Sequence, residues 1–179
     1  MSQLKHYAKK IPLYLLMLLL VWMAIIILMP KKSLWYEVEA VMVKQKLVVH
    51  GEKLYDALFH LNVSEAELYF GAMNLARVES VDILPLGIYN TLQLKNLFVG
   101  AQIPIVKGLH IKKADISYIP FGNLNIGATG NFGTLVGFID LTKRNIELKI
   151  NASNWLKKQT TIMQKLRKKD KGYYFAWHY

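Results

Sequence analysis

The hydrophobic pattern divides the chain into three parts. In the first, Ile11–Met29 is an unbroken apolar run with no charged side chain. A helix that crosses the hydrocarbon core needs about 20 such residues. The run therefore predicts a membrane anchor over residues 11–30. Pro12 suits a first helical turn, and Pro30 stops the helix before Lys31-Lys32. Tyr14 and Trp22 read as interface or lipid-facing anchor residues. A cleaved signal peptide has a shorter apolar core, about 7–15 residues, and a small-x-small site. Met29-Pro-Lys-Lys-Ser33 offers no such site.

The second part alternates. Leu34–His50 reads as extended chain, with Trp35, Glu37, Glu39, Val41 and Val43 facing one way. Leu54, Ala57, Leu58 and Leu61 recur at helical spacing, so a short helix is expected over Lys53–Leu61. Val63–Phe70 and Met73–Ile83 read as strands joined at Gly71-Ala72, with a breaker at Pro85-Leu-Gly87. In Tyr89–Val99, Leu92, Leu94, Asn96 and Phe98 alternate against Thr91, Gln93, Lys95 and Leu97. Leu109–Ile119 and Phe121–Ile126 are parted by Pro120. Gly133–Leu141 and Asn145–Ile150 form a hairpin around residues 142–145. Short strands at this spacing predict a mainly-β domain, an antiparallel sheet or a sandwich, over residues 33–179.

The third part turns helical again. Trp155, Gln159, Ile162, Met163 and Leu166 share one helical face, while Lys157, Lys158, Lys165, Lys168 and Lys169 enrich the rest. Ser153 or Asn154 suits an N-cap. A basic amphipathic helix is expected over 153–169, a stop at Asp170-Lys-Gly172, and an aromatic strand over Tyr173–Tyr179. Trp155, Lys157, Lys158, Ile162, Lys165, Leu166 and Lys168 are the candidate contacts to a membrane surface or an acidic partner. A solvated lysine face is the plainer alternative.

Charge sharpens this picture. The net charge is +11, and the segments before Ser33, from Ser33 to Ala152, and after Ala152 carry +5, 0 and +6. A nucleic-acid-binding domain usually bears its basic footprint on the folded body. Here the body is neutral, which favours a membrane and disfavours nucleic acid. Lys5, Lys9 and Lys10 outnumber Lys31 and Lys32, which places residues 1–10 in the cytoplasm and the domain on the far side. The chain has no cysteine, so disulfides, Cys-ligated zinc and a thiol nucleophile are excluded.

Catalytic constellations are missing from the sequence. His6, His50, His60, His110 and His178 make no i,i+4 pair and no H-E-x-x-H motif. Gly127–Gly133 lacks the phosphate-loop pattern. Ser64 and Ser117 have no nucleophile-elbow context. The i,i+2 pairs Glu37/Glu39 and Glu65/Glu67 read as solvated strand faces. Asn62-Val-Ser and Asn151-Ala-Ser match glycosylation acceptors, which matter only in a eukaryotic secretory pathway. No catalytic residue, metal ligand or cofactor is expected, and the chain reads as a non-enzyme.

Three stretches carry a family resemblance: Ala66–Ile83, Leu92-Gln-Leu-Lys-Asn-Leu97, and Gly130–Leu141 followed by Ile146-Glu-Leu-Lys-Ile150. They resemble the β-repeat pattern of protein N of type II secretion systems and the related AsmA-like envelope proteins, over about residues 60–150. The resemblance implies a single inner-membrane helix and a periplasmic β domain. It implies a structural or assembly component of an envelope-spanning transport machine. The alternative it implies is a lipid- or lipopolysaccharide-handling protein whose apolar sheet face holds acyl chains. Expected partners are the bilayer, other envelope membrane proteins and lipid. A continuous inner file of apolar side chains without a covering layer would favour the lipid reading.

Overall fold

The computed structural model describes residues 2–100, 102–120, 122–169 and 172–178. Helix α1 (Ser2–Leu28) leads into α2 (Lys31–Lys44). A meander follows: β1 (Leu47–His50), β2 (Lys53–Asp56), β3 (Leu61–Phe70), β4 (Met73–Pro85), β5 (Asn90–Val99), β6 (His110–Tyr118), β7 (Asn123–Gly130), β8 (Gly133–Asp140) and β9 (Asn145–Ala152). Two single-turn helices, α3 (Asn154–Lys157) and α4 (Thr160–Met163), precede β10 (Arg167–Lys169) and β11 (Gly172–His178). All strands join one antiparallel 11-stranded sheet, in the order β1-β3-β4-β5-β6-β7-β8-β9-β11-β10, with β2 also on β3. The domain is thus a single sheet and not a sandwich.

Helix α1 contains a 19-residue stretch, Lys10–Leu28, long and apolar enough to cross a membrane. It begins earlier than the apolar run, so Pro12 lies inside the helix and not in its first turn. Such a proline is tolerated in membrane helices, where neighbouring groups re-satisfy the freed carbonyl. Pro30 does end α1, but the chain turns straight into α2, and the Pro30 carbonyl accepts from Ser33 and Leu34.

The expected extended segment Leu34–His50 is therefore mostly helix. Its residues satisfy both periods, and packing decides between them. Lys31, Leu34, Trp35, Val38 and Met42 recur at helical spacing and line the space above β3–β5. Lys31, 2% exposed, pairs with Asp56 at 3.5 Å and fixes the start of α2 to the end of β2. The expected helix at Lys53–Leu61 is instead β2 and a turn. Pairing Leu54 with Val63 shelters an apolar side chain and supplies ladder bonds that one isolated helical turn could not.

The predicted strands from Val63 to Ile150 are present, with the hairpin turn at residues 141–144. The single basic helix over 153–169 is not formed. Ser153 caps α3 by accepting from the Leu156 N–H. The chain then breaks at Lys158-Gln159, makes one more turn, and enters β10. Leu156, 4% exposed, drives into a cluster with Phe132 and Ile150, and a straight helix would not wrap the sheet this way. Asp170 and Lys171, where the stop was expected, lie outside the described residues, as does Tyr179.

The core has two centres on the same face of the sheet. Leu61, Val63, Ala66 and Val81 form one, beneath α2. Phe132, Ile150 and Leu156 form the other, beneath α3 and α4.

Candidate functional site

Paired residues of an antiparallel sheet point to the same side. Following the register across the strands gives one continuous row: Val63, Val81, Leu94, Ala114, Ala128, Leu135, Ile150 and Tyr173. The next row reads Leu61, Ile83, Leu92, Ile116, Ile126, Gly137, Leu148 and Phe175. No residue in either row is polar, apart from the Tyr173 hydroxyl. The opposite side of the same strands carries Gln93, Lys95, Lys113, Thr129, Glu147 and Lys149. One face of the sheet is therefore apolar along both rows, from β3 to β11.

A line of one-residue irregularities keeps it so. The register passes from Ser64↔Ser80 to Ala66↔Val78, from Ser80↔Lys95 to Val78↔Leu97, and from Lys95↔Lys113 to Leu97↔Ile111. Glu65, Glu79, Asn96 and Lys112 are the residues passed over. Glu65 and Asn96 have positive φ, 58° and 48°. The Asn96 amide donates to the Glu79 carboxylate at 2.6 Å. Both partners pass over one residue at each step, so the register holds while the side-chain alternation of the four strands resets together. Apolar residues on both sides of the line thus share a face.

This corrects the alternation expected in β5. Leu97 and Val99 join Leu92 and Leu94 on the apolar face. Phe98 turns outward, 50% exposed and stacked on the His110 ring at 4.2 Å.

Among the described residues, the face is covered at its two ends. Helix α2 arches over β3–β5 and leaves a cavity of about 560 Å3 beneath it. Its lining includes Trp35, Val38, Leu61, Val78, Leu92 and Leu94, and Lys31 is one of only two charged residues there, with Glu67. Trp35 Nε1 is buried and meets no acceptor among the described residues. A buried donor left unpaired costs about 1–3 kcal/mol. At the other end, Trp155, Ile162, Met163, Leu166 and Tyr173 pack around Phe132, Ile150 and Leu156. A smaller apolar hollow of about 280 Å3 lies between Leu148, Phe175 and Leu166. Between the two covers, Ile116 and Ile126 belong to neither core cluster and remain half-buried.

The seat of α2 is electrostatically marked. Burial, and then the neighbouring Glu52 carboxylate, push the Glu39 carboxyl above the usual carboxylate range. Elsewhere the charges are ordinary surface features. Lys53 beside Glu65 lowers that carboxyl. Backbone N–H groups of Lys143 and then Thr142, with the Lys143 charge, hold Asp140 low in its turn.

The residues singled out in the sequence fall in two separate places. Pro12, Tyr14 and Trp22 lie on α1, and Pro30 at its junction with α2. Trp155, Ile162 and Leu166 are half-buried on the apolar sheet face: Trp155 follows the β9 end away from α1, and Ile162 and Leu166 lie over Leu148 and Phe175 in the middle of β9 and β11. Lys157, Lys158, Lys165 and Lys168 are exposed around them. Trp35 and the cavity were not legible, because residues 34–50 also fit a strand pattern. Among the described residues, no group of three or more His, Asp or Glu side chains could hold a metal ion. No family model matches this chain, and no curated protein or solved structure matches it either.

Proposed function

We propose that this protein is a membrane-anchored, non-enzymatic lipid-handling protein, in which the apolar sheet face carries acyl chains. The observation behind this reading is the unbroken apolar face from β3 to β11, covered at its ends among the described residues. A soluble monomer rarely leaves so continuous an apolar surface without a partner. Burying it against hydrocarbon gains about 25 cal/mol per Å2. The cavity beneath α2 matches the size range of small-molecule sites, about 300–1,000 Å3. Its one unpaired donor, Trp35 Nε1, suits an ester carbonyl at the head of an acyl chain.

The setting follows from the anchor. A bitopic inner-membrane protein with the sheet in the periplasm would receive lipid from the outer leaflet and hold it along the face. The resemblance to AsmA-like envelope proteins agrees with this arrangement. A scaffold role in a type II secretion or other transport machine needs loops and sheet edges for partners, but gives no reason for a continuous apolar face.

Site-specific photocrosslinking in the full-length protein, reconstituted in vesicles, tests the proposal. Leu94 and Gln93 are adjacent in β5 and face opposite sides. p-Benzoylphenylalanine at Leu94 should yield lipid adducts, and at Gln93 none. Equal yields at the two positions, or adducts at neither, would overturn the lipid reading.

A further inference from the structure

Four pairings, Asp56↔Leu61, Leu61↔Ile83, Pro85↔Asn90 and Asn90↔Tyr118, place the turns after β2, β4 and β6 at the same end of neighbouring strands. The tips of those turns are apolar and exposed: Leu58 58%, Ile88 63%, Tyr89 44% and Ile119 50%. The segment Pro85-Leu-Gly-Ile-Tyr89 contains no charge. Scattered exposed apolar residues need no explanation, but these sit side by side on three consecutive turns.

The anchor supplies the occupant. Helix α1 runs past this same end. A Cβ placed on Gly87 would stand 3.3 Å from the Trp22 ring, and Ile26 is 4% exposed. Trp22 lies six residues before Leu28, about 9 Å along the helix at 1.5 Å per residue. The 19-residue apolar stretch is about 28 Å long, close to the roughly 30 Å of hydrocarbon. With Lys10 and Leu28 at the two boundaries, the level of Trp22 is below the headgroups. Gly87 shares that level, so its turn cannot stand clear of the bilayer. Around this end, Tyr55 is exposed, as aromatic residues are at membrane interfaces, and Lys32, Lys143 and Arg144 are exposed too.

We infer that the turns bearing Leu58, Ile88 and Ile119 insert into the bilayer beside α1, so that the apolar sheet face begins inside the lipid and needs no aqueous gap to receive an acyl chain. This rests on the reading that α1 spans the membrane, and it deepens the lipid-handling proposal by naming the point of entry. It also assigns the interfacial contact to the turns and not to the lysine-rich tail, whose Lys165 and Leu166 lie over the mid-strand residues Leu148 and Phe175.

The absence of native cysteine makes the test direct. Single cysteines, Ile88→Cys, Ile119→Cys, Met73→Cys and Leu18→Cys, are introduced in the full chain and labelled with a fluorophore. The protein is reconstituted in phosphatidylethanolamine–phosphatidylglycerol vesicles. Met73 is exposed at the opposite end of the sheet, and Leu18 is in the middle of α1. Labels at Ile88 and Ile119 should be quenched by brominated acyl chains and shielded from iodide, as at Leu18, whereas Met73 shows the reverse. Iodide quenching at Ile88 and Ile119 equal to that at Met73 overturns the inference. So does shielding from both quenchers, which would mean a protein contact. If the Leu18 label is also open to iodide, the spanning anchor itself fails. Lipid adducts at Leu94 are read independently of all these outcomes, so the entry point and the lipid-bearing face can fail separately.

Discussion

Trp35 offers the most discriminating perturbation. Its Nε1 is buried in the cavity without an acceptor, while the indole ring packs against the Leu61–Val81 core. Trp35→Phe removes the donor and keeps an aromatic ring on the same face of α2. The lipid-handling proposal has this donor meet an ester carbonyl, a hydrogen bond with a net value of about 1 kcal/mol. That corresponds to roughly fivefold in relative affinity. The assay uses an equal mixture of ester-linked and ether-linked phospholipids in the vesicle, with the crosslinker at Leu94 and mass spectrometry of the adducts. The bilayer composition normalises the result. The wild-type protein should enrich the ester lipid about fivefold over its share. The Trp35→Phe protein should return the bilayer ratio. If wild type shows no preference, or the preference survives the substitution, Trp35 does not read an ester.

Other expectations follow from the same packing. Val63 is fully buried in the first core cluster, so Val63→Ala should cost about 2–3 kcal/mol in denaturant unfolding. Val136, 59% exposed on the polar side, should tolerate the same change within about 0.5 kcal/mol. Gly133 sits at φ 110°, and a Cβ there would overlap the Asn151 carbonyl. Gly133→Ala should therefore lower the melting temperature clearly, whereas Gly71→Ala, with open space around it, bears only its backbone strain. Glu39 has a raised carboxyl pKa in the folded protein. The folded state then keeps its proton longer than the unfolded chain, so this contribution is fully present below the unfolded value and is lost as pH rises through the folded one. Relative to Glu39→Gln, the wild type should lose stability over that window, and parallel pH profiles would refute the assignment.

The strands and their turns were legible because each carries its own signals. Gly71, Gly87 and Gly133 mark turns with positive φ. The Gly133–Ile150 hairpin shows strict alternation in its second arm. The joining of these strands into one face was only partly legible. In β5, period two runs straight through Asn96, and nothing local announces that Asn96 takes a left-handed conformation. The cause is a neighbour, Glu79, whose carboxylate accepts from its amide. Residues 34–50 failed for a different reason. Valines and a tryptophan in alternation favour a strand, but Trp35, Val38 and Met42 also make a helical stripe, and the exposed floor of β3–β5 chose the helix. In the tail the amphipathic pattern was real, and it was spent on the sheet. Leu156 was not on the helical face read from the sequence, yet it is the most buried residue of that segment.

The lipid-handling proposal puts acyl chains along the apolar face between the two covers. Methyl-resolved NMR of the full chain in nanodiscs containing a lipid spin-labelled near its chain terminus measures this directly. The methyl signals of Ile116 and Ile126 should broaden, while that of Val136 on the opposite face stays sharp. Broadening confined to α1 and the membrane-side turns, with sharp signals at Ile116 and Ile126, would contradict the account.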